Sequence, residues 1–323
     1  MFVVTGGAGF IGSALVAKLN DEGIQDIIIV DDLGTGDKWK NLVNLQFSDY
    51  IHKDTFLRMV MDNIFKYPID AMFHMGACSS TTERNAEYLL ENNYKYSKEL
   101  AEWAIKNDTW FCYASSGATY GDGSLGFSDD PEMTMQIHPT NMYGYSKQLM
   151  DLWATRTEAL KLLTGLKFFN VYGPNEYHKG SMRSMVIKAY NQVMETGKIK
   201  LFKSNHSDWK DGNQQRDFIY VKDVVDTMWY LLNNPEIKGL YNLGTGIART
   251  WNDLAKAVFA ALDKPASIEY IDMPADLHEH YQNFTQAEMD ALEKSGCPCK
   301  FTSLEDGVKN YIQEYLLTNN KYL

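Results

Sequence analysis

The stretch Thr5-Gly6-Gly7-Ala8-Gly9-Phe10-Ile11-Gly12 decides how this chain folds. It follows a short apolar run, Phe2 to Thr5, that reads as a buried strand. It opens a helical pattern over residues 11–20, with Gly23 just past the end. Glycines at 6, 9 and 12 permit a tight turn, let the backbone approach a pyrophosphate, and let helix lie close on strand. The helix start then offers unpaired N–H groups and the positive end of its dipole to an anion. A glycine triplet alone says little. Set between a strand and a helix at the head of a β–α–β unit, it points to a dinucleotide.

Outward from that motif, residues 27–30 form a β-branched strand, and helical stretches alternate with strands at 71–74, 111–115 and 166–171. This alternation predicts the α/β class: a Rossmann-type doubly wound parallel sheet covered on both faces. Beyond about residue 175 the pattern turns irregular. A loop with Gly173, Pro174 and Gly180 leads to a helix over 184–196, and the polar stretch 205–215 reads as a surface loop. Strands at 218–221 and 241–243 flank a helix starting at Asp223. A helix over 250–262, a strand over 268–271 and a helix over 304–316 complete the chain. The expected division is a dinucleotide-binding domain of residues 1–171 plus about 217–247, and a smaller discontinuous α/β substrate lobe of about 172–216 plus 248–323.

The 323 residues are 45% hydrophobic and 23% charged, enough for a large core, with a formal net charge of -11. That acidity repels a phosphate backbone, so no nucleic-acid partner is expected; a local basic pocket can still hold a small anion. No apolar stretch reaches the ~20 residues of a membrane helix, so no membrane partner is expected either. Met1-Phe2-Val3-Val4 carries no basic leader of the signal-peptide kind. Cys78, Cys112, Cys297 and Cys299 match no common zinc or redox spacing. Reduced thiols, no metal and a cytoplasmic location are the expectation.

The second strand ends in Asp31-Asp32. An acid there commonly holds the adenosine ribose hydroxyls and selects NAD. Lys38 and Lys53 follow, and either could neutralise a 2′-phosphate and favour NADP, so the residues alone leave this choice open. Two windows fit Tyr-x-x-x-Lys: Tyr94/Lys98 and Tyr143/Lys147. Residues four apart share a helix face, and a lysine cation beside oxidised nicotinamide lowers a phenol's pKa from about 10 so that it acts as a base. Context favours the second window. Tyr143 lies downstream of a strand ending in Ala114-Ser115-Ser116, whose last hydroxyl could polarise the reacting oxygen. Tyr94 precedes that strand and reads as helix packing or surface.

Thr5 to Gly12, Ala114-Ser115-Ser116-Gly117-Ala118-Thr119-Tyr120-Gly121, Tyr143-Gly144-Tyr145-Ser146-Lys147 and Phe169-Asn170-Val171-Tyr172-Gly173-Pro174 stand in a telling order. In order and separation the chain resembles the extended short-chain dehydrogenase/reductases. Arg216-Asp217-Phe218-Ile219-Tyr220-Val221 and Tyr241-Asn242-Leu243-Gly244-Thr245-Gly246 continue the match. His74-Met75-Gly76-Ala77-Cys78-Ser79, His178-Lys179-Gly180-Ser181-Met182 and Tyr281-Gln282-Asn283-Phe284-Thr285 narrow the resemblance to the ADP-heptose 6-epimerases of that superfamily, nearly end to end.

The resemblance implies an isomerase that inverts C6 of an ADP-activated manno-heptose for the lipopolysaccharide inner core, by transient oxidation and re-reduction. It implies tightly bound NADP, with NAD the alternative, and a homo-oligomer in a pentamer-like ring. Implied cofactor contacts fall at Gly6, Gly9, Phe10, Ile11 and Gly12, and at Asp31, Asp32, Lys38 and Lys53. Others fall at Met75, Gly76, Ala77, Cys78 and Ser79, and at Asn92, Lys147, Val171 and Lys179. Implied substrate contacts are Ser116, Asn170, Ser181, Lys188, Phe202, Lys203, Ser204, Arg216 and Tyr281. Arg216 also makes independent sense, because a guanidinium grips a diphosphate bidentately. Tyr143, Lys147 and Ser116 would serve one side of the reacting carbon, and the resemblance gives the other side to Lys179.

The chain departs from its relatives at Lys167, where they often carry arginine, at Lys188, where similar enzymes place a histidine, and in a longer 205–215 loop. Rival readings are a 4-epimerase or 4,6-dehydratase of the same superfamily and a non-catalytic NADP-binding protein, since fold alone does not decide function. The dehydratases carry an acidic pair just after the catalytic hydroxyl residue; here Gly117 and Ala118 follow Ser116.

Overall fold

The computed structural model describes residues 1–65, 68–274 and 281–323. Its strands are β1 (Phe2–Thr5), β2 (Ile27–Asp31), β3 (Asp49–His52), β4 (Ala71–His74), β5 (Trp110–Ser116) and β6 (Thr164–Phe168), then β7 (Asn170–Tyr172), β8 (Ile199–Phe202), β9 (Gln215–Tyr220), β10 (Gly239–Leu243), β11 (Ala248–Thr250) and β12 (Ile268–Ile271). Seven of them make one parallel sheet in the order β10-β6-β5-β4-β1-β2-β3. Successive side chains point to opposite faces of a strand, and here both faces are covered. Val4, Ile29 and Phe73 enter one apolar core, while Val3, Ile28 and Met72 enter the other. β2 and β4 are accordingly buried along their whole length. The expected doubly wound sheet is present.

The sheet order reverses between β1 and β4. At such a switch point the loops leaving neighbouring strands diverge to opposite faces and open a crevice at the strands' carboxyl ends. The glycine motif leaves β1 at that place, and Met75 to Ser79 leave β4 beside it.

Several expectations need correction. The run 166–171 is not one strand. β6 ends at Phe168 in the large sheet, and β7 starts at Asn170 in a three-stranded sheet with β9 and β11. Phe169 is the joint: its N–H donates to the Leu243 carbonyl while its ring packs near Tyr120 and Phe127. A continuous apolar run cannot show where a chain changes sheets. β3 and β8 carry too little apolar pattern to be read in advance, being short and half exposed. The stretch 205–215 is not simply surface: Gln214 is fully buried, and the Asn252 amide clamps the backbone and side chains around Gly212. β8 and β12 pair as a separate two-stranded sheet. The last helix, Leu304–Asn310, continues as a wide turn over Tyr311–Leu316. Tyr94 packs on the second core and Lys98 pairs with Glu102 at 3.5 Å, so the first Tyr-x-x-x-Lys window does structural work.

Lys167 explains itself once the strands are in place. It lies on β6, wholly buried, with Nζ 2.7 Å from Asp151 and 2.8 Å from the Thr119 hydroxyl. Asp151, on the helix Met142–Arg156, also accepts from the Tyr113 and Ser115 hydroxyls of β5. The ion pair thus ties that helix to two strands of the sheet. Among the described residues no helix is long and apolar enough to cross a membrane, no group of His, Cys, Asp or Glu could hold a metal ion, and the cysteines are free.

Removing one partner of a buried pair strands the other charge, at a cost of about 3–5 kcal/mol. Lys167→Met should therefore lower the urea midpoint by an amount equivalent to about 3 kcal/mol, and Lys167→Met combined with Asp151→Leu should recover much of that loss. Equal stability of the single variant and the parent chain would contradict the pairing.

Candidate active site

The glycines build a cradle by leaving no room for side chains. Gly6 has φ +65, and a Cβ there would lie 2.6 Å from the Gly76 nitrogen. A Cβ on Gly12 would lie 2.1 Å from the Gly6 carbonyl oxygen, so the helix Phe10–Asp21 can start this close to β1 only with glycine. Gly9 caps that helix, no side chain satisfies its first N–H groups, and its first turn holds no acid. These are the features a pyrophosphate needs. A dinucleotide therefore fits the residues present.

From the cradle a cleft of about 1020 Å³ runs to the aromatic pair Phe202 and Tyr281. Its wall brings together Gly6, Gly9, Phe10, Ile11 and Gly12 with Asp31, Lys38, Met75, Gly76, Ala77, Cys78 and Ser79. Further along it adds Ser116, Tyr143, Lys147, Asn170, Val171, Lys179 and Lys188. Asp32, Lys53 and Asn92 line a smaller adjoining pocket of about 150 Å³. Four expected residues are not on either wall. Ser181 is exposed on the turn Tyr177–Met182, Lys203 pairs with Asp272 at 2.9 Å, and the Ser204 hydroxyl donates to the His206 carbonyl at 2.8 Å. Arg216 is buried one layer back, its guanidinium 5.2 Å from the Tyr281 ring and 5.6 Å from the Trp251 ring. It supports the aromatic wall rather than facing the cleft directly.

At the adenosine end, Asp31 is already engaged. One carboxylate oxygen accepts from the Ala8 N–H at 2.9 Å and the other from Lys38 Nζ at 2.6 Å. Lys38 also donates to the Asp32 carbonyl at 3.0 Å, and Lys53 sits 3.1 Å from Asp54. The acid expected to repel a 2′-phosphate is thus neutralised by the lysine expected to attract one.

Tyr143 and Lys147 stand on the helix Met142–Arg156, capped by Asn141, whose side-chain oxygen accepts from the Gly144 N–H at 2.8 Å. A Cβ on Gly144 would lie 2.6 Å from the Ala118 carbonyl, so this helix start lies against the turn that follows Ser116. The Ser116 hydroxyl bonds to Tyr143, and Lys147 Nζ donates to the Ala114 carbonyl at 2.8 Å. Burial pushes the Tyr143 phenol above its usual pKa; the Ser116 hydroxyl pulls it down and Cys78 pushes it up. Burial also brings Lys147 down to about 8, against an opposing pull from Asp151 one turn on. Across the cleft, burial lowers Lys179; Glu176 opposes this and Lys188 adds to it. Its Nζ lies 5.3 Å from the Phe10 ring.

Sequence reading missed the residues that hold these groups. Asn93, wholly buried, binds both the N–H and carbonyl of Cys78 and reaches the Ser146 hydroxyl at 3.0 Å, joining the β4 loop to the catalytic helix. It sits in a wide turn, Leu90–Lys95, and its only signal was a polar pair inside a helical run. His74 bridges the Thr5 and Ser97 hydroxyls at 2.6 and 2.7 Å, and burial drops its pKa to about 3, so it is a neutral strut between β1, β4 and the helix Tyr96–Lys106. His178 lines the cleft, its pKa lowered to about 4 by burial and by Lys38 and Lys179.

Against known proteins, the family described as "NAD dependent epimerase/dehydratase family" matches residues 2–244. An ADP-L-glycero-D-manno-heptose-6-epimerase of Nitratidesulfovibrio vulgaris is 58% identical over 323 residues, all of both chains. Its counterpart from Fusobacterium nucleatum is 48% identical, again over all of both chains. The crystal structure of the Helicobacter pylori enzyme of that name superimposes with a TM-score of 0.81 at 28% identity, covering 97% of this chain and 95% of that one. The chain belongs to the NAD dependent epimerase/dehydratase family, on the branch of the ADP-L-glycero-D-manno-heptose-6-epimerases.

Proposed function

We propose that the chain inverts C6 of an ADP-activated manno-heptose, converting ADP-D-glycero- to ADP-L-glycero-D-manno-heptose for the lipopolysaccharide inner core. The observation that supports this is one cleft lined both by Ser116, Tyr143 and Lys147 and by Lys179, whose Nζ lies 5.3 Å from the Phe10 ring. Full-length identity to enzymes of this name supports it.

When bound, the dinucleotide would accept hydride from C6 and return it. Tyr143, as phenolate, takes the proton of the C6 hydroxyl, leaving a ketone. Ser116 donates to that oxygen, and Lys147 supplies the positive charge that favours phenolate. The ketone turns about its bond to the sugar ring and presents its other face. Its oxygen then takes a proton from Lys179, so oxidation and reduction cancel and one centre is inverted. Phe202, Trp251 and Tyr281 offer faces to the adenine, backed by Arg216. For the cofactor we favour NADP, on the Lys38–Asp31 pair. The division into residues 1–171 plus about 217–247 and the remainder, a cytoplasmic location and a homo-oligomeric ring complete the proposal. A 4-epimerase or dehydratase is less well supported, since Gly117 and Ala118 follow Ser116 and no acid stands there.

Incubation with ADP-D-glycero-D-manno-heptose should yield the L-glycero product by NMR. Tyr143→Phe should lower kcat by about 100-fold or more, the usual worth of a general base. Lys179→Met should still reduce bound nicotinamide but fail to invert; inversion at the parent rate would remove Lys179 from the scheme. If Tyr143→Phe stayed active and Tyr94→Phe were dead, the wrong tyrosine has been chosen.

Lys147 loses its proton as pH rises through about 8 and then ceases to favour phenolate, so kcat should fall on the alkaline side of that value. A profile that stays flat through this range would contradict the role. Lys38→Ala frees the Asp31 charge, so the preference for NADP over NAD should drop by about tenfold or more, for a loss of about 1.4 kcal/mol. Titration of the stripped protein with each dinucleotide measures it; an unchanged ratio would place the 2′-phosphate elsewhere.

A further inference from the structure

Lys179 stands on a short turn, Tyr177–Met182, interrupted at Gly180, with little regular structure to fix it. Side chains hold the segment instead. Asn175, fully buried in a left-handed conformation at φ +75, donates to the Ser13 hydroxyl at 2.9 Å on the helix of the phosphate cradle. Its backbone carbonyl accepts from Asn41, which also donates to the Ala8 carbonyl inside the glycine motif. Glu176, also fully buried, accepts from the Ser184 hydroxyl at 2.7 Å and from the Ser184 N–H, closing the segment on itself.

The outer side is covered by residues 321–323. The Tyr177 hydroxyl donates to the Lys321 carbonyl at 2.6 Å, and the Leu323 N–H donates to the Asn175 side-chain oxygen at 3.1 Å. The Tyr322 ring meets the Tyr177 ring edge-on at 5.2 Å, and Leu323 packs on the main core. Tyr143, Ser116 and Lys147, by contrast, stand on β5 and the helix Met142–Arg156, which none of these bonds touches.

We propose that residues 321–323, acting through Asn175 and Tyr177, are a strap that positions Lys179 in the cleft, so that inversion depends on it and hydride removal does not. This rests on the functional reading above. Misplacing a reacting group by about 1 Å can cost about 100-fold in rate. The strap residues touch neither substrate nor cofactor in this account, and they act through Lys179.

The test compares the full chain with a variant lacking residues 321–323, both loaded with NADP and mixed with ADP-D-glycero-D-manno-heptose. Fluorescence of reduced nicotinamide in a single turnover reads hydride removal, and NMR reads inversion. The variant should remove hydride at the parent rate and invert about 100-fold more slowly with KM little changed. Tyr177→Phe, which removes only one hydroxyl, should show the same pattern more weakly if the shortened chain fails to fold. Tyr322→Phe keeps the ring contact and should retain the parent rate, whereas Tyr322→Ala should not. Equal loss of both half-reactions would make the strap merely structural, and no loss in either would overturn it. If the full chain itself neither reduces nicotinamide nor inverts the sugar, the functional reading fails and the strap falls with it. A full chain that is active beside an equally active shortened one sinks the strap alone.

Discussion

The backbones of Gly6 and Gly76 meet where β1 and β4 diverge, closer than any side chain would permit. The other parts of the molecule are arranged around that approach. It sets the floor of the crevice, and beside it Gly12 lets the helix Phe10–Asp21 begin close to β1 with no side chain capping its first N–H groups. His74 and Thr5 brace the same two strand ends from beneath with short hydrogen bonds. A floor built from backbone leaves little to adjust where the switch point of the sheet opens toward a dinucleotide.

Burial supplies the electrical character of the site. It pushes Tyr143 up and brings Lys147 and Lys179 down, so in each case the neutral form gains on the charged one. At Tyr143 the Ser116 hydroxyl opposes the rise that burial causes. The buried Lys167–Asp151 pair lies just beneath and is neutral as a pair, so it fixes helix to sheet without adding a net charge to the reaction chamber.

The two sides of the cleft are supported in different ways. One is carried by the central sheet and a well-capped helix, rigid elements on which geometry is easily kept. The other is a turn held by asparagines, a buried glutamate and residues distant in the chain. The first keeps its geometry through regular hydrogen-bonded elements, and the second only through side-chain contacts between segments far apart in the chain.

The amino-acid order alone determined the parallel sheet and the phosphate cradle. Both rest on local chemistry: a strand, a glycine turn and a helix are neighbours in the chain, and the apolar periods of strand and helix are written in consecutive residues. The resemblance to a known family supplied most of the wall of the cleft. Tertiary structure decided what depends on contacts between distant residues. It split the run 166–171 between two sheets, paired Lys38 with Asp31, set Arg216 behind an aromatic wall, and buried Lys167 against Asp151. It also showed Asn93, His74 and Asn175 as supports, though nothing beside them in the chain marks them as such. A polar residue looks the same in sequence whether water or a buried partner satisfies it, and only the packing of segments far apart in the chain says which.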